Sequence, residues 1–446
     1  MNDVTFYFQV HQPFRLRGYR FFDIGNRDDY FDDEENERIL RRVAEKCYLP
    51  MNALLLRAIE RTDGAFRCSF SISGTALDQF EAWSPETLES FRALAATGHV
   101  EFLAETSHHS LSALFDEAEF RAQLEDQAAR IERLFGVRPK TFRNTELVID
   151  NRIARIVEEA GYIGILGEGA DHLLGWRSPH VVYRPQGCER IKSLLRSYRL
   201  SDDIAFRFSN RGWDHWPLHT ETFCSWLEDA VRGLDEQVIG LFMDYETFGE
   251  HQWEDTGIFS FMEALPEAVL ATDSLRFATP GEVFERNDPM GRIDVPHPVS
   301  WADAERDLTA WLGNHMQRAA NEALWDIGAD LRQVLESPDA LDDDSEAREL
   351  LVKWRRLTTS DHLYYMCTKW FSDGDVHKYF SPYSTPHDAF IAFMNVLDDL
   401  ARRIEVLREA AITTDEGEAL GVVELTPRGN TQVTNAEAVA CGEGKV

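Results

Sequence analysis

Short apolar runs alternate with longer stretches of helical period along most of this chain. The runs at 4–10, 66–72, 99–104, 141–145, 162–166, 192–198 and 238–243 read as strands. Each is followed by a stretch with apolar positions three and four residues apart. Seven such β units joined by helices predict an α/β fold: an incomplete parallel (β/α)7 barrel, one strand short of eight. Residues 274–279 have the composition of one more short strand. From Trp301 onward the strand-like runs stop, and helical periodicity continues to about Leu407, broken by a polar stretch at 337–345. The expected organisation is a barrel over 1–295 with a helical insertion at about 20–62. A C-terminal α-helical domain over 296–411 and an acidic, disordered tail over 412–446 follow.

Composition narrows the class. The 446 residues are 43% hydrophobic and 11% aromatic, enough to bury a large core. No run of 18 apolar residues is present, and the N-terminus enters a strand at once without a basic or apolar leader, so no membrane span and no signal peptide are expected. Six scattered cysteines without a C-x-x-C pair fit reduced thiols in a cytoplasmic protein. The formal charge is −32, from 46 Lys and Arg against 78 Asp and Glu, and only seven of the 46 are Lys. That surplus argues against nucleic acid or an anionic membrane as a partner. Its Lys-poor character fits a protein of a halophile, folded where salt screens the self-repulsion. The run Asp28-Asp29-Tyr30-Phe31-Asp32-Asp33-Glu34-Glu35 reads as a solvated loop before a helix; it lacks the glycine a calcium loop needs.

Candidate chemistry lies where the strands end. The first strand runs into His11-Gln12-Pro13. Alternation along the third places His99, Glu101, Leu103 and Glu105 on one face, the fourth presents Asn144 and Glu146, and the seventh presents Asp244 and Glu246. Any one of these carboxylates is more simply a structural ion pair, but four sets converging on one rim point to an active site. Two carboxylates on opposing strands are what glycoside hydrolysis requires. Negative neighbours disfavour ionisation, so one carboxyl of the group is expected to stay protonated near neutral pH; spacing alone does not say which.

Five segments in order, His11-Gln12-Pro13, Gly98-His99-Val100-Glu101, Phe142-Arg143-Asn144-Thr145-Glu146-Leu147, Met243-Asp244-Tyr245-Glu246-Thr247-Phe248-Gly249 and Thr359-Ser360-Asp361-His362-Leu363-Tyr364-Tyr365-Met366, resemble the conserved regions of glycoside hydrolase family 57. The resemblance spans residues 1 to about 410. Ser300-Trp301-Ala302-Asp303 and Ala310-Trp311-Leu312-Gly313-Asn314 place it nearest the short α-amylases. It implies a helical domain that completes the substrate cleft, and retaining hydrolysis of α-1,4-glucans (starch, glycogen, maltooligosaccharides) with no metal or other cofactor. It implies Glu146 as nucleophile and Asp244 as acid/base, with His11, Glu101, Glu246 and Asp361 lining the cleft. Retention places the two carboxyls about 5–5.5 Å apart. Glu105 and the pair His108-His109 receive no role.

Trp253, just beyond the Asp244 loop, is the favoured sugar-stacking ring; Trp213, Trp216, Tyr364 and Tyr365 are further candidates, each as readily explained by core packing. Trp301 and Trp311 read as domain-interface core. A 4-α-glucanotransferase would use the same two carboxylates. A metal-dependent polysaccharide deacetylase or α-mannosidase is suggested by His11, His99, His108 and His109, although no two of these four stand in an H-x-x-x-H pair. A non-catalytic glucan-binding relative is disfavoured because both Glu146 and Asp244 are present. If the acidic surface is an adaptation to salt, the melting temperature rises steadily from dilute buffer to molar KCl. Full stability and activity without added salt would contradict that reading.

Overall fold

The computed structural model describes residues 1–233, 237–336, 345–369 and 381–420. Seven strands form the central barrel: β1 (Asn2–Val10), β2 (Cys68–Ile72), β3 (Val100–Phe102), β4 (Thr141–Arg143), β5 (Gly164–Glu168), β7 (Lys192–Arg196) and β8 (Val238–Asp244). All pair in parallel, in the order β8-β1-β2-β3 and β4-β5-β7-β8. A parallel bridge between Ala104 and Phe142 joins β3 to β4 and closes the ring. The expected (β/α)7 barrel is thus present. Two short strands escaped the sequence reading, β6 (Tyr183–Pro185) and β10 (Gly291–Ile293), which pair with each other beside β7. The expected strand at 274–279 is β9 (Leu275–Phe277). It pairs with Asn2–Val4 of β1, below the stretch where β2 takes over at Tyr7.

Alternation along the strands divides the core. Val4, Phe6, Phe8 and Val10 of β1 and Ile239, Leu241 and Met243 of β8 point outward into the helical layer. Tyr7, Leu103, Leu194, Val238 and Phe242 point into the barrel, joined from one end by Ala278, Val283 and Phe284. The interior is packed, so polar chemistry has room only above this layer.

The insertion at 20–62 is mostly ordered helix, Asp33–Val43 and Leu49–Arg61 joined by one wider turn at Ala44–Tyr48. The acidic run there is only partly a loop. Asp32 caps the first helix by accepting from the Glu35 N–H, and Asp33, Glu34 and Glu35 lie in its first turn, where the helix dipole favours negative charge. After β10 the described residues form helices only, among them His315–Leu335, Glu346–Leu357, Ser360–Tyr364 and Pro386–Leu420. The last helix runs past the boundary expected at 411. The rest of the expected tail, and the polar stretch at 337–344, lie outside the described residues. Among those described, no helix is long and apolar enough to cross a membrane.

Candidate active site

Glu146 and Asp244 both leave the C-terminal ends of barrel strands. Asp244 is the last residue of β8, level with Gln9 of β1. Glu146 follows β4 by three residues in a left-handed conformation, φ +56°, and Leu147 after it has φ +53°. Such backbone is disfavoured for residues with a side chain and persists only where its surroundings impose it. Here Asn144 donates its amide to the Val148 carbonyl at 2.9 Å, tying the turn from within. Leu147 is thereby driven into the barrel core, while Glu146 is raised above it with 21% of its side chain exposed.

His109 and Trp301 make the two shorter contacts to the Glu146 carboxylate. Oε1 lies 3.2 Å from His109 Nε2, and Oε2 accepts the Trp301 indole N–H at 2.7 Å. The other ring nitrogen of His109, Nδ1, lies 3.0 Å from Glu105 Oε2. Gln9 Nε2 donates to Glu105 Oε1 at 3.2 Å. A fully protonated imidazole donates to both carboxylates at once. Burial opposes that charge, but the hydrogen bonds and charges of Glu105 and Glu146 outweigh it and carry the His109 pKa up to about 9. Burial likewise pushes both carboxyls up, and His109 with Arg143 brings each below its ordinary value. Glu105, His109 and Glu146 therefore form an anion–cation–anion row at neutral pH.

Asp244 has the opposite environment. Burial first, then the Glu146 charge, raises it to about 6. Glu246 is raised to about 8 by burial and by Asp244, even though the Tyr48 hydroxyl donates to it. The structure thus separates the carboxyls that the sequence left undivided: Glu146 is pulled below its ordinary value, Asp244 is raised to about 6, and Glu246, at about 8, keeps its proton at neutral pH.

The helical segment supplies the remaining wall. The Ser360 N–H donates to the His109 carbonyl at 3.0 Å, so helix Ser360–Tyr364 starts against the His109 loop. Asp361 Oδ2 lies 2.9 Å from His11 Nε2. Burial and the nearby His109 charge hold His11 neutral, so its Nε2–H donates to Asp361 while Nδ1 accepts from Ser73 at 2.8 Å. Burial alone would raise Asp361, but His11 and the His109 charge hold it far below the ordinary range. The His11 and His109 rings stack at 4.0 Å.

Five of the seven expected site residues therefore meet: His11, Glu146, Asp244, Glu246 and Asp361. Glu101 does not join them. It shares the inward face with Glu105, but four residues of strand separate them by about 13 Å. The Glu101 carboxylate instead accepts the Gly281 N–H at 2.7 Å, at the start of helix Pro280–Arg286. Trp253 is 60% exposed and donates its N–H to the Glu250 carbonyl, with no described contact to Glu146 or Asp244. Trp216 and Trp213 line separate surface clefts of about 290 and 400 Å³ that include no carboxylate of the site. Trp311 is buried core, and Tyr365 is buried beside Asp361, with which it hydrogen-bonds. The functional residues the sequence reading missed are Glu105, His109 and Trp301. The signal for Glu105 was present in the alternation of the third strand, one step further along. Among the described residues, no group of three or more His, Cys, Asp or Glu side chains is arranged to hold a metal ion.

A parallel barrel that raises an ionised and a protonated carboxyl from its C-terminal rim is the framework of a glycosidase. The family model for glycosyl hydrolase family 57 matches residues 5–296, and the chain belongs to that family. It is 42% identical over 409 residues to a Methanocaldococcus jannaschii protein provisionally named an alpha-amylase, covering 91% of this chain and 85% of that one. Solved structures similar in fold include a branching enzyme of Pyrococcus horikoshii (TM-score 0.67, 14% identity, 95% of this chain and 93% of that one). An alpha-amylase of Thermotoga maritima is another (TM-score 0.59, 14% identity, 93% and 97%). A 4-alpha-glucanotransferase of Thermococcus litoralis matches at TM-score 0.58 and 16% identity over 81% of this chain, which spans 56% of that enzyme's length.

The positive charge of His109 is directly testable. In Glu105→Gln one of its two carboxylates becomes a neutral amide, so the ring titration followed by NMR moves down from about 9 toward the ordinary histidine value. An unmoved titration would show that Glu105 does not support the imidazolium.

Proposed function

We propose that the protein is a retaining glycosidase of α-1,4-glucans, an α-amylase, with Glu146 as nucleophile and Asp244 as acid/base. The observation that carries this reading is the division of protons between the two. Glu146 is held ionised by His109, and Asp244 is raised to about 6 by burial and by Glu146, so that it keeps its proton into mildly acidic solution where Glu146 is already charged. A nucleophile must be charged and an acid must carry a proton at the same pH; His109 with Arg143 meets the first requirement, and burial with the Glu146 charge favours the second. Asp244 gives its proton to the glycosidic oxygen as Glu146 attacks the anomeric carbon, and the resulting glycosyl-enzyme is released by water that Asp244, now a base, deprotonates. His11, Glu246 and Asp361 surround this pair and supply hydrogen bonds for sugar hydroxyls. The alpha-amylase name of the M. jannaschii relative supports a glucan substrate. A 4-α-glucanotransferase would differ only in the acceptor that releases the intermediate.

The products formed from maltoheptaose, assayed in high KCl with and without chelator, test the reading. Hydrolysis yields only shorter oligosaccharides, with glucose or maltose accumulating. Products longer than the input would mean transfer, and no product under any salt condition would contradict the assignment. Glu146→Gln and Asp244→Asn each keep side-chain size and are expected to lower kcat by roughly 10³-fold or more. Because Asp244 must be protonated, kcat/KM of the free enzyme falls as pH rises through about 6. Glu246→Gln leaves that limb in place, since Glu246 is still a neutral acid there.

A further inference from the structure

Trp301 belongs to the segment that leads from the barrel into the helices, yet it reaches Glu146 twice. Its indole N–H bonds Oε2 at 2.7 Å, and its backbone N–H bonds the Glu146 carbonyl at 3.2 Å. The loop that carries it is closed on itself. Ser300 N–H donates to the Arg306 carbonyl at 3.2 Å, Ser300 Oγ donates to the Asp307 carbonyl at 2.6 Å, and Arg306 donates to the Trp301 carbonyl. Arg306 in turn lies 3.5 Å from Glu168 and 3.6 Å from Asp202, the two carboxylates that also hold Arg196.

Two guanidinium groups lie over the Trp301 ring, Arg143 at 4.7 Å and Arg196 at 5.8 Å from its centroid. Arg143 is fully buried, and none of its three guanidinium nitrogens has a hydrogen-bond partner among the described residues. A desolvated cation without acceptors must draw its compensation from π faces and unbonded charges, here Trp301, the more distant Tyr7 ring at 5.9 Å, and the site carboxylates. Cations over the ring also draw density from the indole, which makes its N–H a stronger donor.

We propose that Trp301 is a positioning residue that fixes Glu146 Oε2 and so selects Oε1 as the attacking oxygen. Oε1 has two donors, but both contacts are longer, 3.2 Å to His109 and 3.5 Å to Ser360, against 2.7 Å for the Trp301 bond on Oε2. In the attack a bond forms between Oε1 and the anomeric carbon, the glycosidic C–O bond breaks, and the leaving oxygen takes the Asp244 proton. Oε2 becomes the ester carbonyl and keeps the Trp301 hydrogen bond throughout, so the carboxylate need not rotate between substrate and intermediate. The inference rests on Glu146 being the nucleophile.

Trp301→Phe keeps a ring under both guanidiniums and removes only the N–H. The expected result is a fall in kcat of roughly 10- to 100-fold, the size expected for one hydrogen bond to a charged group, with KM changed far less. The acid limb of kcat/KM moves to higher pH, because a donor that favours the ionised carboxylate is gone. The carboxyl ¹³C titration of Glu146, assigned with Glu146→Gln, moves up in parallel. A folded Trp301→Phe enzyme with an unmoved Glu146 midpoint and kcat within twofold of wild type would overturn the proposal. Arg306→Lys, which loosens the loop without touching the carboxylate, provides a second variant should Trp301→Phe not fold: a smaller shift in the same direction supports the proposal, and an unmoved midpoint overturns it. The titration reads the contact without turnover. A wild-type enzyme inactive on glucans would therefore defeat the assigned reaction while the titration still decides what Trp301 does.

Discussion

The site depends on one buried imidazolium. His109 sits between Glu105 and Glu146, with its ring almost wholly inaccessible, and carries a proton that burial alone would remove. Without that charge two desolvated carboxylates would face each other and at least one would protonate. With it, Glu146 stays ionised, and its charge adds to burial in raising Asp244 to about 6. The charge difference between Glu146 and Asp244 is set by their surroundings, His109 above all, rather than by anything intrinsic to the two acids. The chain accepts backbone strain to build this row: His109 has φ +50°, as Glu146 has φ +56°.

The fold supplies the three directions from which the row is held. The barrel strands bring Gln9 beneath Glu105 and Asp244 level with Gln9. The loop beyond β3 brings His109. The chain beyond the barrel closes from above, with Ser360 on the His109 backbone, Asp361 on His11, and the loop residue Trp301 on Glu146. A barrel alone would leave Glu146 with one of its two oxygens unsupported.

Much of this was legible in the sequence. Buried parallel strands are near-continuous apolar runs, so all seven barrel strands were visible, as were Glu146 and Asp244 at their ends. β6 and β10 were not, because three residues carry no periodicity. Alternation reports a face but not a height: it placed Glu101 and Glu105 together, and only the register of Glu101 beside Ser69 shows that Glu101 is too low in the barrel. His109 was hidden for a different reason. Its partners come from a strand end and a loop, with a positive φ that no pattern of hydrophobicity predicts. Trp301 looked like a core aromatic; its nitrogen, rather than its area, is what matters here.

The most direct measurement is covalent. A glucosyl donor whose fluorine substitution slows breakdown of the intermediate would be incubated with the enzyme, and the protein digested and sequenced by mass spectrometry. An ionised Glu146 predicts one glucosyl unit per chain, on the peptide containing Glu146, and its absence in Glu146→Gln. A label on Asp244 or Glu246 instead would contradict the charge division on which the account is built.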